Sequence, residues 1–276
     1  MYLTNIINLF SQKQIEEGRT PGTVKTYVGV LEKFQAWLTA RNIELNHISK
    51  NDVQLFMDYL EEQKKGAGTI EKYFAAISVF ARFLGKSEIM LNIHRKEKLK
   101  ESEIPDSLED KEEKKILSEV ELDGNLRNTA IVYTLLYTGI RISELCALDL
   151  NDIDLTENKL FVKNENGQIE RGIPLSSEVN KHLINYIDSI NNPNREALFV
   201  SSVNKRLSTR AVQYMLQKYN VNPHKLRHTF CQKLINKGID IHTVAKLAGH
   251  KDINVTKRYA SVLEANLEDA INRAFS

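Results

Sequence analysis

Residues 223 to 259 concentrate side chains able to do chemistry on a phosphate. The stretch opens P-H-K-L-R-H-T-F at Pro223, passes through L-A-G-H at Leu247 to His250, and reaches T-K-R-Y at Thr256 to Tyr259. His224 and Arg227 stand three apart, so a helix projects them from one face about a turn apart. Pro223 suits the first helical position, where its missing N–H is not needed. Leu226, Phe230 and Leu234 continue that helix, and Gly238 ends it. A second short helix is predicted from His242 to Ala248, closed by Gly249, with His250 directly after the stop. Tyr259 follows nine residues later. Short segments thus bring together an imidazole, a guanidinium, a second imidazole and a phenol, which suit binding and attacking a phosphate.

Two plainer uses of these residues compete with that reading. A lone His or Tyr on such helices commonly serves packing or the surface. His224 and His228, at i and i+4, also have the spacing of zinc ligands, with Cys231 or His250 to complete the set. The metalloprotease form of that spacing puts Glu directly after the first His, and here the residue is Lys225. A cation at that point opposes a metal, so no metal site is expected.

The segments H-K-L-R-H-T-F, L-A-G-H and T-K-R-Y, with T-G-I-R-I-S-E-L at 138–145 upstream, together resemble the signatures of the tyrosine recombinases, the phage-integrase and Xer-type family. The family order of Arg, Lys, His-x-x-Arg, His and Tyr falls on Arg141, Lys163, His224, Arg227, His250 and Tyr259. The resemblance implies a mainly α protein. An N-terminal four-helix core-binding (SAM-like) domain would precede a mixed, mostly helical catalytic domain with a small β-sheet.

The chain must position these groups with elements it can fold. Its 276 residues allow one large or two ordinary domains. No run of 18 apolar residues occurs and the start lacks the form of a signal peptide, so a cytoplasmic protein without membrane contact is expected. Cys146 and Cys231 lie in apolar helical patterns and read as reduced core residues. Lys and Arg total 38 against 36 acidic residues, far from a histone-like coat. Fifteen of the basic and eleven of the acidic side chains fall in residues 1–100, so DNA affinity must come from a local basic face.

The first hundred residues read as four helices. The first carries Leu3, Ile6, Ile7 and Phe10 and ends near Gly18, and the second opens at Thr20-Pro21. The third starts at the N-cap Ser49. The fourth follows the break Gly66-Ala67-Gly68 from Thr69. Four helices with short joints make a bundle, expected over 1–93, and the resemblance makes it the DNA-covering domain. Lys25, Lys33, Lys65, Lys72 and Arg82, opposite the apolar stripes, are its candidate DNA contacts. Residues 94–106 are charged and broken by Pro105, which marks a linker and hinge that would let two domains close on DNA. The catalytic domain is expected over 107–276.

That domain resumes with helices at Lys111–Val120 and Leu126–Tyr137, the second nearly all apolar and therefore buried. Arg141 then starts a short helix with Glu144 one turn on. This spacing is that of a surface ion pair, or of a glutamate that orients the catalytic groups. Lys159–Lys163 and Gln168–Leu175 flank the turn Asn164–Gly167 and read as a hairpin. The family form of this hairpin is G-K-G-x-K-x-R. Here Val162 and Asn164 replace the glycines beside the lysine, and the second lysine is absent. Lys163 is the single lysine between Lys159 and Lys181.

The resemblance also implies roles. Arg141 and Arg227 would match the non-bridging oxygens with planar forks, and His250 would add a donor. Tyr259 would attack, His224 would take its proton, and Lys163 would protonate the departing 5′ oxygen. The 3′-phosphotyrosyl bond keeps the energy of the phosphodiester, so no cofactor, ATP or metal is implied. The family acts as a homo-tetramer on two double-stranded DNA sites through a Holliday junction, in some cases with accessory proteins. The short N-terminus is taken to leave no room for an arm-binding domain. A type IB topoisomerase and a non-cleaving architectural DNA-binding protein are the alternatives. Leu263, Leu267, Ile271 and Phe275 recur every fourth residue and predict an amphipathic C-terminal helix, which in the family docks on a neighbouring subunit.

Overall fold

The structure is a computed structural model that describes residues 3–96, 105–190 and 195–260. The predicted C-terminal helix with Leu263, Leu267, Ile271 and Phe275 lies outside the described residues, as does most of the expected linker. The chain divides into two compact units, Met1–Glu101 and Ser102–Ser276. Among the described residues no helix is long and apolar enough to cross a membrane.

The first unit is built from α1 (Leu3–Glu16), α2 (Pro21–Thr39), α3 (Lys50–Glu62) and α4 (Ala67–Phe83). Local chemistry sets the starts. The Thr20 side chain accepts from the N–H of Thr23 with Pro21 at the head of α2, and Ser49 and Asp52 form a reciprocal capping box at α3. Helix α4 begins at Ala67, capped by Gly66, so Gly68 belongs to its first turn and is no break. The apolar stripes of the helices meet in a core of Phe10, Leu31, Phe34, Phe56, Ile70, Ile77 and Phe80. Phe34 and Phe56 lie 4.7 Å apart between centroids.

The second unit begins with α5 (Asp110–Leu122) and α6 (Leu126–Thr138), followed by the short α7 (Ile142–Ala147). Strands β1 (Ile153–Asp154), β2 (Lys159–Lys163) and β3 (Ile169–Pro174) form an antiparallel sheet in sequence order. The β2–β3 register shifts between Val162 and Lys163. Helices α8 (Ser177–Asp188), α9 (Thr209–Gln217), α10 (Pro223–Asn236), α11 (Ile241–Ala248) and α12 (Ile253–Ala260) complete the described part. Ten of the thirteen residues of α6 are buried, and it packs between α8, α10 and α5. Both cysteines are free and buried.

Helix α6 stops at Gly139, whose φ of 62° is left-handed and whose N–H closes on Leu135 O. Phe230 of α10 lies directly over it: a Cβ at Gly139 would sit 2.2 Å from the Phe230 ring. Glycine is therefore required twice at this turn, by backbone and by space. Gly139→Ala is expected to destabilise the second unit by about 2 to 5 kcal/mol, the sum of a left-handed penalty and an overpacking cost. Urea unfolding of wild type and variant measures it, and a loss below about 1 kcal/mol would contradict the double requirement.

Candidate active site

The turn after α6 delivers the first arginine. Arg141 caps α7: its backbone N–H donates to Glu144 Oε2 at 2.7 Å and its Nη1 donates to Glu144 Oε1 at 2.8 Å. Its Nη2 reaches across to the carbonyl of Gly249. Arg141 stays 40% exposed at its side chain, whereas Glu144 is 13% exposed. Glu144 thus sits in a charge network and is no ordinary surface partner. Its carboxyl is buried, which raises its pKa, but the hydrogen bonds from Arg171 and Arg141 outweigh this and hold it below the usual carboxylate range.

Helix α10 delivers the next groups from the face that looks toward that turn. Asn222 caps it by accepting from the N–H of Lys225, with Pro223 at its head. Buried Arg227 donates from Nη1 to the carbonyl of Gly139 at 2.6 Å. Burial, and then the nearby Arg141 charge, depress its pKa from a very high ordinary value. Exposed His224 lines a cavity with Asn222, Lys225, His228, Arg258, Pro105 and Asp106.

Helix α11 ends at Gly249 in the left-handed region, and the N–H of His250 returns to Ala245 O at 2.9 Å. The Nδ1 of His250 lies 2.8 Å from Oγ1 of Thr256, a fully buried residue of α12. Three residues on, Tyr259 is 1% exposed. Its hydroxyl lies 2.5 Å from Nδ1 of His228, and its ring runs parallel to that of His250, at 2° and 6.4 Å between centroids. Burial first, then Cys231, push the phenol pKa well above its ordinary value.

Two of the expected residues stand apart from the hydrogen bonds of the tyrosine. The ring on the Tyr259 hydroxyl is His228, not His224. The two are one turn apart on α10, and α12 crosses α10 at the farther turn, where Gln232 also donates to Tyr259 O. Lys163 lies at the exposed end of β2 with Nζ 2.5 Å from Oδ1 of Asp152, and no hydrogen bond or ion pair among the described residues joins it to the arginines, His250 or Tyr259. The Asp152 contact, its first cause, raises the Lys163 pKa. Three neighbours escaped sequence reasoning. His228 was visible only as half of a zinc spacing, Asp152 sits in an unremarkable D-I-D, and Arg171 is a strand residue whose burial depends on register. Among the described residues no three His, Cys, Asp or Glu side chains converge as a metal cluster.

Lys25 and Lys33 are exposed on α2, Lys65 lies in the joint before α4, and Lys72 and Arg82 are exposed on α4. None of the five side chains makes a hydrogen bond or ion pair among the described residues.

His250 gives the site a measurable pH signature. Burial, followed by the charges of Arg227 and Arg141, lowers its pKa from 6.5 to about 4, so the ring is neutral at pH 7. A depressed histidine makes the folded state refuse a proton that the unfolded chain accepts. Its contribution is complete above pH 6.5 and is lost as pH falls toward 4, at no more than about 1.4 kcal/mol per pH unit and less after solvent screening. Urea unfolding between pH 7 and 5 should therefore lose stability more steeply for wild type than for His250→Asn. Parallel slopes would contradict the assignment.

Residues 106–266 match the phage integrase family profile, and residues 7–88 match that of the phage integrase N-terminal SAM-like domain. The tyrosine recombinase XerD of Oceanobacillus iheyensis is 30% identical over 287 residues, covering 96% of this chain and 95% of that protein. XerC of Bacillus subtilis is 28% identical, covering 96% and 94%. Among solved structures, XerH site-specific recombinase bound to a palindromic difH substrate superposes with a TM-score of 0.72 at 18% identity, covering 90% of this chain and 78% of that one. The Tn1549 transposon integrase in complex with circular intermediate DNA gives 0.70 at 20%, covering 92% and 94%. At such identities the structures attest the fold, while the two family profiles and the XerD relative attest descent. A chain matched this way along both of its units belongs to the phage integrase family, the tyrosine recombinases.

Proposed function

We propose that this site-specific recombinase cuts one DNA strand with Tyr259 while Arg141, Arg227 and His250 hold the scissile phosphate. The observation that carries the reading is the single framework in which Arg227 and Arg141 reach the carbonyls of Gly139 and Gly249, with Tyr259 between His228 and His250. Guanidinium groups stay charged at any working pH and fit the charge that grows on non-bridging oxygens. In the step proposed, Tyr259 Oη bonds to phosphorus and the P–O5′ bond breaks. The phenol proton passes to His228, whose ring burial keeps neutral and able to accept it. Lys163 leaves Asp152 and gives its proton to the departing 5′ oxygen. His224 donates to a phosphate oxygen from the cavity wall. A 5′-hydroxyl from a second site then reverses these bonds on a new strand.

Double-stranded DNA sites are thus the proposed partner, in the cytoplasm. The proposed assembly is a homo-tetramer on two sites, helped by accessory proteins where the site demands them, and Lys25, Lys33, Lys65, Lys72 and Arg82 are proposed to contact the duplex. XerH and the Tn1549 integrase, solved with DNA, support that partner. The XerD and XerC relatives favour recombination over the topoisomerase and architectural alternatives.

Tyr259→Phe removes one hydroxyl and little volume. Folding and specific site binding should survive, and the covalent protein–DNA adduct, assayed on a nicked substrate in EDTA, should vanish. An adduct formed by the variant overturns the nucleophile.

Lys163→Ala should slow cleavage by roughly 10²–10⁴-fold, the range for loss of a general acid. A substrate with sulfur at the 5′ leaving position needs no proton and should restore most of the rate. Equal slowing on both substrates removes Lys163 from this role.

A further inference from the structure

Arg171 has no part in the steps above, yet it is among the few buried cations of the second unit, with 5% of its side chain exposed. It lies on β3, opposite Val162 of β2. Its Nη1 and Nη2 donate to Oε1 and Oε2 of Glu144 at 3.1 and 2.8 Å, a two-pronged fork. Its Nε donates to Leu247 O at 2.9 Å, the last turn of α11. The backbone of Gly249 passes directly over the guanidinium, since a Cβ there would lie 2.6 Å from Nη1. Arg141 closes the ring, joining Glu144 on one side and Gly249 O on the other. Three segments distant in sequence, α7, β3 and the end of α11, thus meet around one carboxylate.

The charges in this ring are unequal in a useful way. One carboxylate faces two guanidiniums. Arg171 spends all three nitrogens on internal acceptors, while Arg141 remains 40% exposed. Were Glu144 paired with Arg141 alone, it would neutralise an arginine proposed to hold the phosphate. With both its oxygens already held by Arg171, it orients Arg141 without cancelling its charge. The same guanidinium, through Nε on Leu247 O, fixes the end of α11, from which His250 hangs.

We propose that Arg171 is a positioning residue for strand cleavage: it satisfies Glu144 so that Arg141 keeps its positive charge for the scissile phosphate, and it locks the Gly249 turn that presents His250. This rests on the phosphate-binding role given above to Arg141 and His250. It adds a functional residue that carries no chemistry of its own.

The test is single-turnover cleavage of a nicked site by wild type, Arg171→Gln, Arg171→Lys and the double variant Arg171→Gln/Glu144→Gln, with site affinity and thermal unfolding measured beside it. Arg171→Gln is expected to slow cleavage about 10- to 100-fold, the usual effect of losing a group that orients a reacting one, with affinity changed by less than about threefold. Arg171→Lys keeps the charge without the fork and should fall between. The double variant should recover much of the rate, because no carboxylate then neutralises Arg141. A role in stability alone predicts no recovery, since two fork partners are gone, and that outcome overturns the proposal, as does a wild-type rate in Arg171→Gln. If Arg171→Gln does not fold, the lysine variant decides: a rate equal to wild type overturns the inference, and a slowed rate with a normal melting temperature supports it. Should wild type itself form no Tyr259 adduct, the proposed function has failed before Arg171 is in question.

Discussion

Like charges repel, and this catalytic unit crowds Arg141, Arg171 and Arg227 around one carboxylate, Glu144. A cluster of that kind is stable only if backbone carbonyls share the load. The carbonyls of Gly139, Leu247 and Gly249 do so, each at the end of a helix where C=O groups lack helical partners. The negative ends of α6 and α11 therefore face the cations. The buried helix α6 and the glycines that end α6 and α11 are shaped by this requirement as much as by apolar packing.

Neutral imidazoles follow from the same crowding. Next to these three guanidiniums a protonated His250 is disfavoured twice, by burial and by charge, and His228 is held below its ordinary pKa by burial and then by the charges of His224, Arg258 and Arg227. The site can thus concentrate positive charge where phosphate is proposed to bind and still keep a proton acceptor on Tyr259.

Much of this was legible in the chain. Pro223, the glycine stop at Gly249, the helical apolar spacing of α1 and α10 and the nearly continuous apolar run of α6 are local signals that tertiary packing did not override. The hairpin could be read because its turn residues separate two alternating runs. What stayed hidden depends on how distant elements meet. Arg171 reads as one charge in a strand of I-E-R-G-I-P, and only the register with β2 shows that it points inward. Whether His224 or His228 meets Tyr259 is decided by where α12 crosses α10, which no spacing along α10 encodes. The start of α4 was misplaced by two residues because a glycine in an exposed first turn looks like a break in sequence and behaves as helix in space.

The pairing of Lys163 with Asp152 has a thermodynamic consequence for DNA binding. An exposed lysine meets DNA by releasing cations condensed on the phosphates, and each such contact steepens the salt dependence. Lys163 already carries an internal anion, since Asp152 is 4% exposed at its side chain and fixed in a turn with Asp149. Moving that ammonium to a phosphate leaves a buried carboxylate uncompensated, so the exchange is close to balanced and its driving force must come from the rest of the interface. On the roles proposed above, affinity and salt sensitivity belong to side chains such as Lys25 and Lys72, and Lys163 as the proposed acid would serve turnover while adding almost nothing to the strength of the grip.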